Sequence, residues 1–256
     1  MRETNSGYYK WLNIFAFIAT ILVNSLAGST TIIGGQNTAQ ISDNNPSLIT
    51  PAGYVFSIWG VIYILLGIFV ITQALPSERK KDYQKRISFF FLLSSLLNII
   101  WLFLWQYEFL SLSIIIMFLL LSTLVTIYLR LDIGKTSPRF REKLAVHLPF
   151  SVYLGWITIA SIANVTVTLV SVNWNGFGIA PETWAALILI IAVLIGQLVI
   201  ITRKDVAYGL VIIWALVGIA VKQSGNPNIV IIAQIGAIII AVSEAIIILL
   251  NRLKRR

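Results

Sequence analysis

The side chains with chemical reach in this sequence are indoles, phenols and carboxamides set at helical spacing. Phe56, Trp59 and Tyr63 follow i, i+3, i+7. Ser94, Asn98, Trp101 and Trp105 follow i, i+4, i+7, i+11, and Tyr153, Trp156, Ala160 and Asn164 follow i, i+3, i+7, i+11. Asn13, Thr20 and Asn24 form a third polar row at i, i+7, i+11. Steps of three and four put side chains on one stripe of a helix. Flat aromatic walls with a few amide donors suit a planar, largely apolar ligand. The competing use is packing, because amides and small residues join membrane helices at roughly 0.6–2 kcal/mol per hydrogen bond. Trp101, Trp156 and Asn98, near the middle of their apolar runs, are open to either use. Tyr8, Trp11, Trp174 and Trp184, near run ends, read as interfacial anchors.

Catalytic chemistry is not indicated. The chain has no Gly-rich phosphate loop and no carboxylate pair at a useful spacing. With no cysteine and the single His147, thiolate or multi-histidine metal sites, disulfides and thiol nucleophiles are excluded. The expectation is a protein that is not an enzyme.

The elements that must position these stripes are membrane helices. Hydrophobic residues make up 58% of the chain and charged residues 11%, against roughly 25% charged in a soluble domain. Runs of about 20 apolar residues recur, each able to cross a ~30 Å hydrocarbon core. They are continuous rather than alternating, which argues against a barrel. Eight spans are expected. The first four are Tyr8–Ala27, Tyr54–Ala74, Ile87–Trp105 and Phe109–Leu129. The last four are Leu144–Val170, Trp184–Thr202, Val206–Val221 and Ile229–Leu250. Ser25-Leu26-Ala27 before Gly28 resembles a signal-peptidase site. Cleavage there would leave seven spans, but the preceding segment is weakly basic and contains Glu3.

The net charge of +9 does not point to nucleic acid, because the charges sit in short connections between apolar runs. The N-terminal tail, the segments after spans two, four and six, and the C-terminal tail carry 18 of the 19 basic residues. Only Lys222 falls on the other side. By the positive-inside rule both ends are expected in the cytoplasm of a multi-pass cell-membrane protein. The longest outer loop, Gly28–Gly53, has no basic residue and can fold over the mouth of the bundle as a lid.

Three polar features lie off the stripes. Glu244, about two turns inside the eighth span, is expected to snorkel or to pair with Arg203, Lys204 or Arg252, or else to serve as a proton or ion site. His147 and the pair Tyr128 and Arg130 read as interfacial groups. Ala233, Ala237, Ala241 and Ala245 form a small-residue stripe for close helix contact.

The motifs also resemble a known family. Pro51-Ala-Gly-Tyr-Val-Phe56-Ser-Ile-Trp59-Gly-Val-Ile-Tyr63 is similar to the second-helix signature of the TspO/MBR family, the tryptophan-rich sensory proteins related to the mitochondrial translocator protein. Leu97-Asn98-Ile-Ile-Trp101 resembles its third-helix motif, and Tyr153-Leu-Gly-Trp156 through Ala160 to Asn164 its fifth-helix motif. The family's Lys-Pro-x-Trp-x-Pro-Pro loop pattern is absent. The resemblance, which covers roughly residues 8–173, implies a five-helix TspO-like bundle over residues 1–173; the three last spans lie outside it, so the expected all-α membrane protein carries a three-helix transmembrane extension over 174–256. It implies a receptor or binding protein for a porphyrin, haem or other planar apolar ligand, with no cofactor required. Carried over by motif, the pocket would use Trp59, Tyr63, Asn98, Trp101, Trp156, Ala160 and Asn164, with Ala160 small enough for a ligand to reach the backbone. Membrane lipids and the ligand are the expected partners, and a homodimer is allowed. Light-dependent tetrapyrrole breakdown at the indoles is the one reaction the resemblance allows. A transporter of a small hydrophobic solute or ion, built on the extra helices and Glu244, is the alternative.

Overall fold

The computed structural model describes residues 5–78 and 81–253, with side chains from residue 10 onward. Arg2, Arg79, Lys80, Lys254, Arg255 and Arg256 of the basic count, and the Tyr8 side chain, lie outside the described residues. Helices carry the whole architecture, and no strand occurs among the described residues. Eight apolar helices follow one another: α1 (Asn5–Ser29), α2 (Ile58–Ala74), α3 (Phe90–Gln106), α4 (Leu110–Arg130), α5 (Leu148–Ser171), α6 (Pro181–Arg203), α7 (Val206–Lys222) and α8 (Pro227–Leu253). Six are long and apolar enough to cross a membrane. α3 and α7, at 17 residues each, stand at the short limit of about 17 residues for a spanning helix. The chain is therefore an all-α membrane protein, with six helices that meet the length for a span, α2 only together with the 3-10 turn before it, and two shorter ones among the eight spans expected.

Local sequence sets the helix ends. Glu108 in the left-handed region (φ 58°) reverses the chain between α3 and α4. Before α5 the backbone makes one π-turn over Lys143–His147, closed by the Leu148 N–H on the Lys143 carbonyl. Pro149 stands just inside α5. It has no N–H to give and crowds the preceding turn, so a wider turn relieves the clash. The Asp205 side chain caps α7 by accepting the Tyr208 N–H at 3.3 Å.

α3, α4, α5 and α1 pack side by side, and α7 lies against α5 as well as against α6 and α8. Gly155 of α5 lets Val211 and the Tyr208 carbonyl of α7 approach closely. The extension therefore shares a continuous buried core with the first bundle.

The connections gather at two ends. At the basic end, Arg86 bridges to Asp132 at 3.5 Å and Arg141 to Glu78 at 3.9 Å. The opposite end is roofed by the long loop, which folds into a helix over Thr38–Asn44 and a 3-10 turn over Gly53–Ser57. Asn37 and Gln40 close a capping box on the short helix. Gln106, fully buried at the end of α3, donates to the carbonyls of Gln36 at 2.9 Å and of Ala27 and Ile33 at 3.2 Å. Gly34 (φ 74°) passes so close to the Gln106 carbonyl that a Cβ would overlap it.

Three polar features depart from their sequence reading. Tyr128 is buried rather than interfacial, and its hydroxyl donates to Asp205 at 2.9 Å. His147 is likewise buried. Glu244 is only 5% exposed and pairs with neither Arg203, Lys204 nor Arg252; no ion pair reaches it among the described residues. A helix-by-helix hydropathy reading misses this, because what faces each side chain comes from another helix.

Candidate functional site: an aromatic chamber beneath a loop lid

The aromatic stripes meet beneath the lid. Trp59, at the start of α2, stacks on Tyr63 with ring centres 5.6 Å apart. It also meets Tyr153 and Trp156 edge-on at 6.0 and 6.2 Å. Phe56 meets Trp156 edge-on at 5.9 Å, and Trp101 lies 5.7 Å from Trp105. Edge-on and offset pairs of this kind each add about 0.5–1.5 kcal/mol beyond their buried area. The rings thus form one continuous packed wall.

These rings enclose a small cavity of about 40 Å³. Trp59, Trp101, Trp156, Ala160 and Asn164 line it, together with Phe56 and Trp105. Thr38, Ser42 and Pro51 of the loop roof it. Two residues of the expected set stand one layer back. Tyr63 lies behind Trp59 on the stack, and Asn98, wholly buried, accepts from Asn24 at 2.7 Å. Neither belongs to the lining.

Hydrogen bonding divides the polar groups into two kinds. Asn164 is structural as well as lining. It accepts the Trp101 indole N–H at 2.8 Å and donates to Ser113 at 2.9 Å. Trp105 donates to the Thr38 carbonyl at 3.3 Å, which ties the wall to the roof. By contrast, the Trp156 indole N–H, the Tyr63 hydroxyl and the Asn98 Nδ2 are buried without a partner. A buried donor left unpaired costs about 1–3 kcal/mol. Three of them in and behind one aromatic wall are unused hydrogen-bonding capacity.

The sequence pattern did not identify the roof residues Thr38 and Ser42, nor Ser113 and Gln106. The first two lie in a loop with no periodicity. Gln106 sits in the corner Gln106-Tyr107-Glu108, where a turn explains its type without any contact to a lid. Trp174 and Trp184 do more than anchor. Their rings lie 5.2 Å apart, and Trp184 donates to the Gly176 carbonyl at 2.8 Å. They form one wall of an open apolar recess of about 450 Å³ beside loop residues Pro46 to Ile49.

Fold and chamber together define a polytopic helical membrane protein with an aromatic chamber at one end of its bundle. The sequence model of the TSPO-like protein family matches residues 10–246, and the chain belongs to that family. The match runs on through α6 and α7 and most of α8. No curated protein and no solved structure matches the chain.

Proposed function

We propose that this protein is a membrane receptor or binding protein for a planar, largely apolar ligand, in the first place a porphyrin or haem. The observation that carries the reading is the lidded indole box with its unpaired buried donors. A planar macrocycle would lie against Trp59, Trp101 and Trp156, and Ala160 leaves the helix backbone open to it. The Trp156 N–H would supply a directional contact. The reading requires motion. Pockets for molecules of this size hold roughly 300–1,000 Å³, and the chamber as it stands holds about 40 Å³. Opening of the lid over residues 30–57 would supply the difference.

In this reading the protein does no chemistry of its own, and photodegradation of a bound porphyrin would be a reaction of the pigment. The protein sits in the cell membrane with both ends in the cytoplasm, as the basic-residue bias favours. The transporter alternative rests on Glu244 and has no support from the chamber.

Quenching of tryptophan fluorescence by protoporphyrin tests the reading. Saturable quenching is expected in wild type, with affinity at least about tenfold weaker in Ala160→Phe, which fills the chamber, and in Trp156→Phe. Trp11→Phe, on the exposed face of α1, should match wild type. Equal weak quenching in every form would remove the proposal.

A further inference from the structure

At the basic end, remote from the chamber, two carboxyl groups are buried against the same helix. Asp205 caps α7 and is 8% exposed; Glu244 of α8 is 5% exposed. Asp205 accepts from Ser151 of α5 at 2.7 Å, from Tyr128 of α4 at 2.9 Å and from the Tyr208 N–H at 3.3 Å. Three donors on one acid is the environment of a carboxylate. Glu244 is surrounded differently. Its Oε1 is buried with no hydrogen-bond partner, and it packs on Gly209, where a Cβ would overlap it.

Gly209 is one turn along α7 from Asp205, and its N–H bonds the Asp205 carbonyl at 3.3 Å. The Glu244 carboxyl therefore packs on α7 one turn along from the residue that caps it. Neither acid makes an ion pair with a described Lys, Arg or His. Arg203, the nearest cation on α6, lies over the Tyr128 ring at 5.8 Å. A lone carboxylate with no donor and no cation is not tolerated inside a helix bundle. Two like charges a turn apart add to that cost.

The site is not sealed. A cleft of about 550 Å³ opens at the basic end, and Asp205, Ser151, His147 and Lys204 line it. The cleft reaches the Asp205 cap, and Glu244 stands behind it, outside the lining. Tyr208 donates onward to Thr158 at 3.0 Å.

We propose that Glu244 is a proton-binding site: it holds an exchangeable proton at the α7–α8 interface, with the Asp205 carboxylate one turn along α7 between it and the solvent-facing cleft. The proposal is independent of any ligand in the aromatic chamber. It gives the last three helices a role of their own. They bring a titratable group into the bundle without a counter-ion.

Infrared spectroscopy of the full chain in lipid vesicles tests it. At neutral pH, wild type should show a protonated-carboxyl C=O band that shifts in heavy water and under isotopic labelling of glutamate carboxyls. The band should fade reversibly as pH rises and be lost in Glu244→Gln, which copies the protonated form. In Asp205→Asn the neighbouring charge is gone, so the band should fade at a lower pH than in wild type. Absence of the band from wild type would overturn the proposal. So would its persistence in Glu244→Gln, or its absence from Asp205→Asn even at acidic pH with Glu244→Gln retaining it, which would put the proton on Asp205. The isotope shift assigns the band to a glutamate even where a variant does not assemble.

Discussion

Asn164 shows what a single amide does in this bundle. It accepts from Trp101 on α3 and donates to Ser113 on α4 while standing on α5, so one side chain joins three helices. Asn164→Ala leaves an indole N–H and a hydroxyl without that partner. A loss of about 1–3 kcal/mol is expected, read as a lower unfolding midpoint in detergent. Asn98→Ala breaks only the Asn24 contact, because its Nδ2 is already unpaired. Its cost should fall nearer the ~0.6 kcal/mol average for membrane hydrogen bonds. If Asn98→Ala proves the more costly of the two, the division into wall-building and unused polar groups is wrong. Trp156→Phe removes a donor that bonds nothing. It should leave stability within about 1 kcal/mol of wild type, a change governed by ring packing alone.

At the scale of elements, the lid decides whether the chamber is open. It is fastened at one end by the Gln106 amide on the loop carbonyls of Ile33 and Gln36 and on Ala27 of α1, and by Trp105 on the Thr38 carbonyl. Gln106→Leu keeps the bulk and removes the donors. Residues 30–45 should then exchange amide hydrogens at least about tenfold faster, the equivalent of losing ~1.4 kcal/mol. α1 and α5 should exchange as before. Unchanged exchange in the loop would show that apolar burial of Ile33 and Ile41, not Gln106, holds the roof down. The Glu244 site is also built from elements: the cap of α7, a glycine one turn on, and the facing helix α8.

Across the whole molecule, the last three helices secure the other end of the lid. The Gly218 carbonyl of α7 accepts the Ala52 N–H at 3.0 Å, and Trp214 donates to the Val55 carbonyl at 3.1 Å. Val55 lies so close to Gly218 that a Cβ there would overlap it. Gly218→Leu should push the 3-10 turn off α7 and raise exchange over residues 50–57, with the Gln106 end of the loop still protected. Lys222, the one basic residue on the lid side, pairs with Asp43 at 2.8 Å. Its position against the charge bias thus has a local reason, although an exposed pair of this kind adds less than about 1 kcal/mol. The absence of cysteine makes orientation directly measurable. Asn44→Cys should react with an impermeant maleimide on intact cells, and Ser137→Cys only after permeabilisation. The reverse pattern would overturn the proposed cytoplasmic placement of the ends.

The sequence by itself determined the class: apolar runs of this length without charge leave only helices that satisfy their own backbone in lipid. It determined the stripes too, because helical periodicity depends only on local geometry. Trp59, Trp101, Trp156, Ala160 and Asn164 were legible as one face on each of three helices for that reason. Which faces meet was decided by tertiary structure alone, since it depends on contacts between residues far apart in the chain. Packing set Tyr63 and Asn98 behind the lining and brought a loop without periodicity over the chamber. It also buried Tyr128 and His147, and put Glu244 against Gly209, one turn along α7 from Asp205, instead of a basic residue. A carboxylate's partner in a helix bundle is set by which helix lies opposite, and no spacing within one helix encodes that.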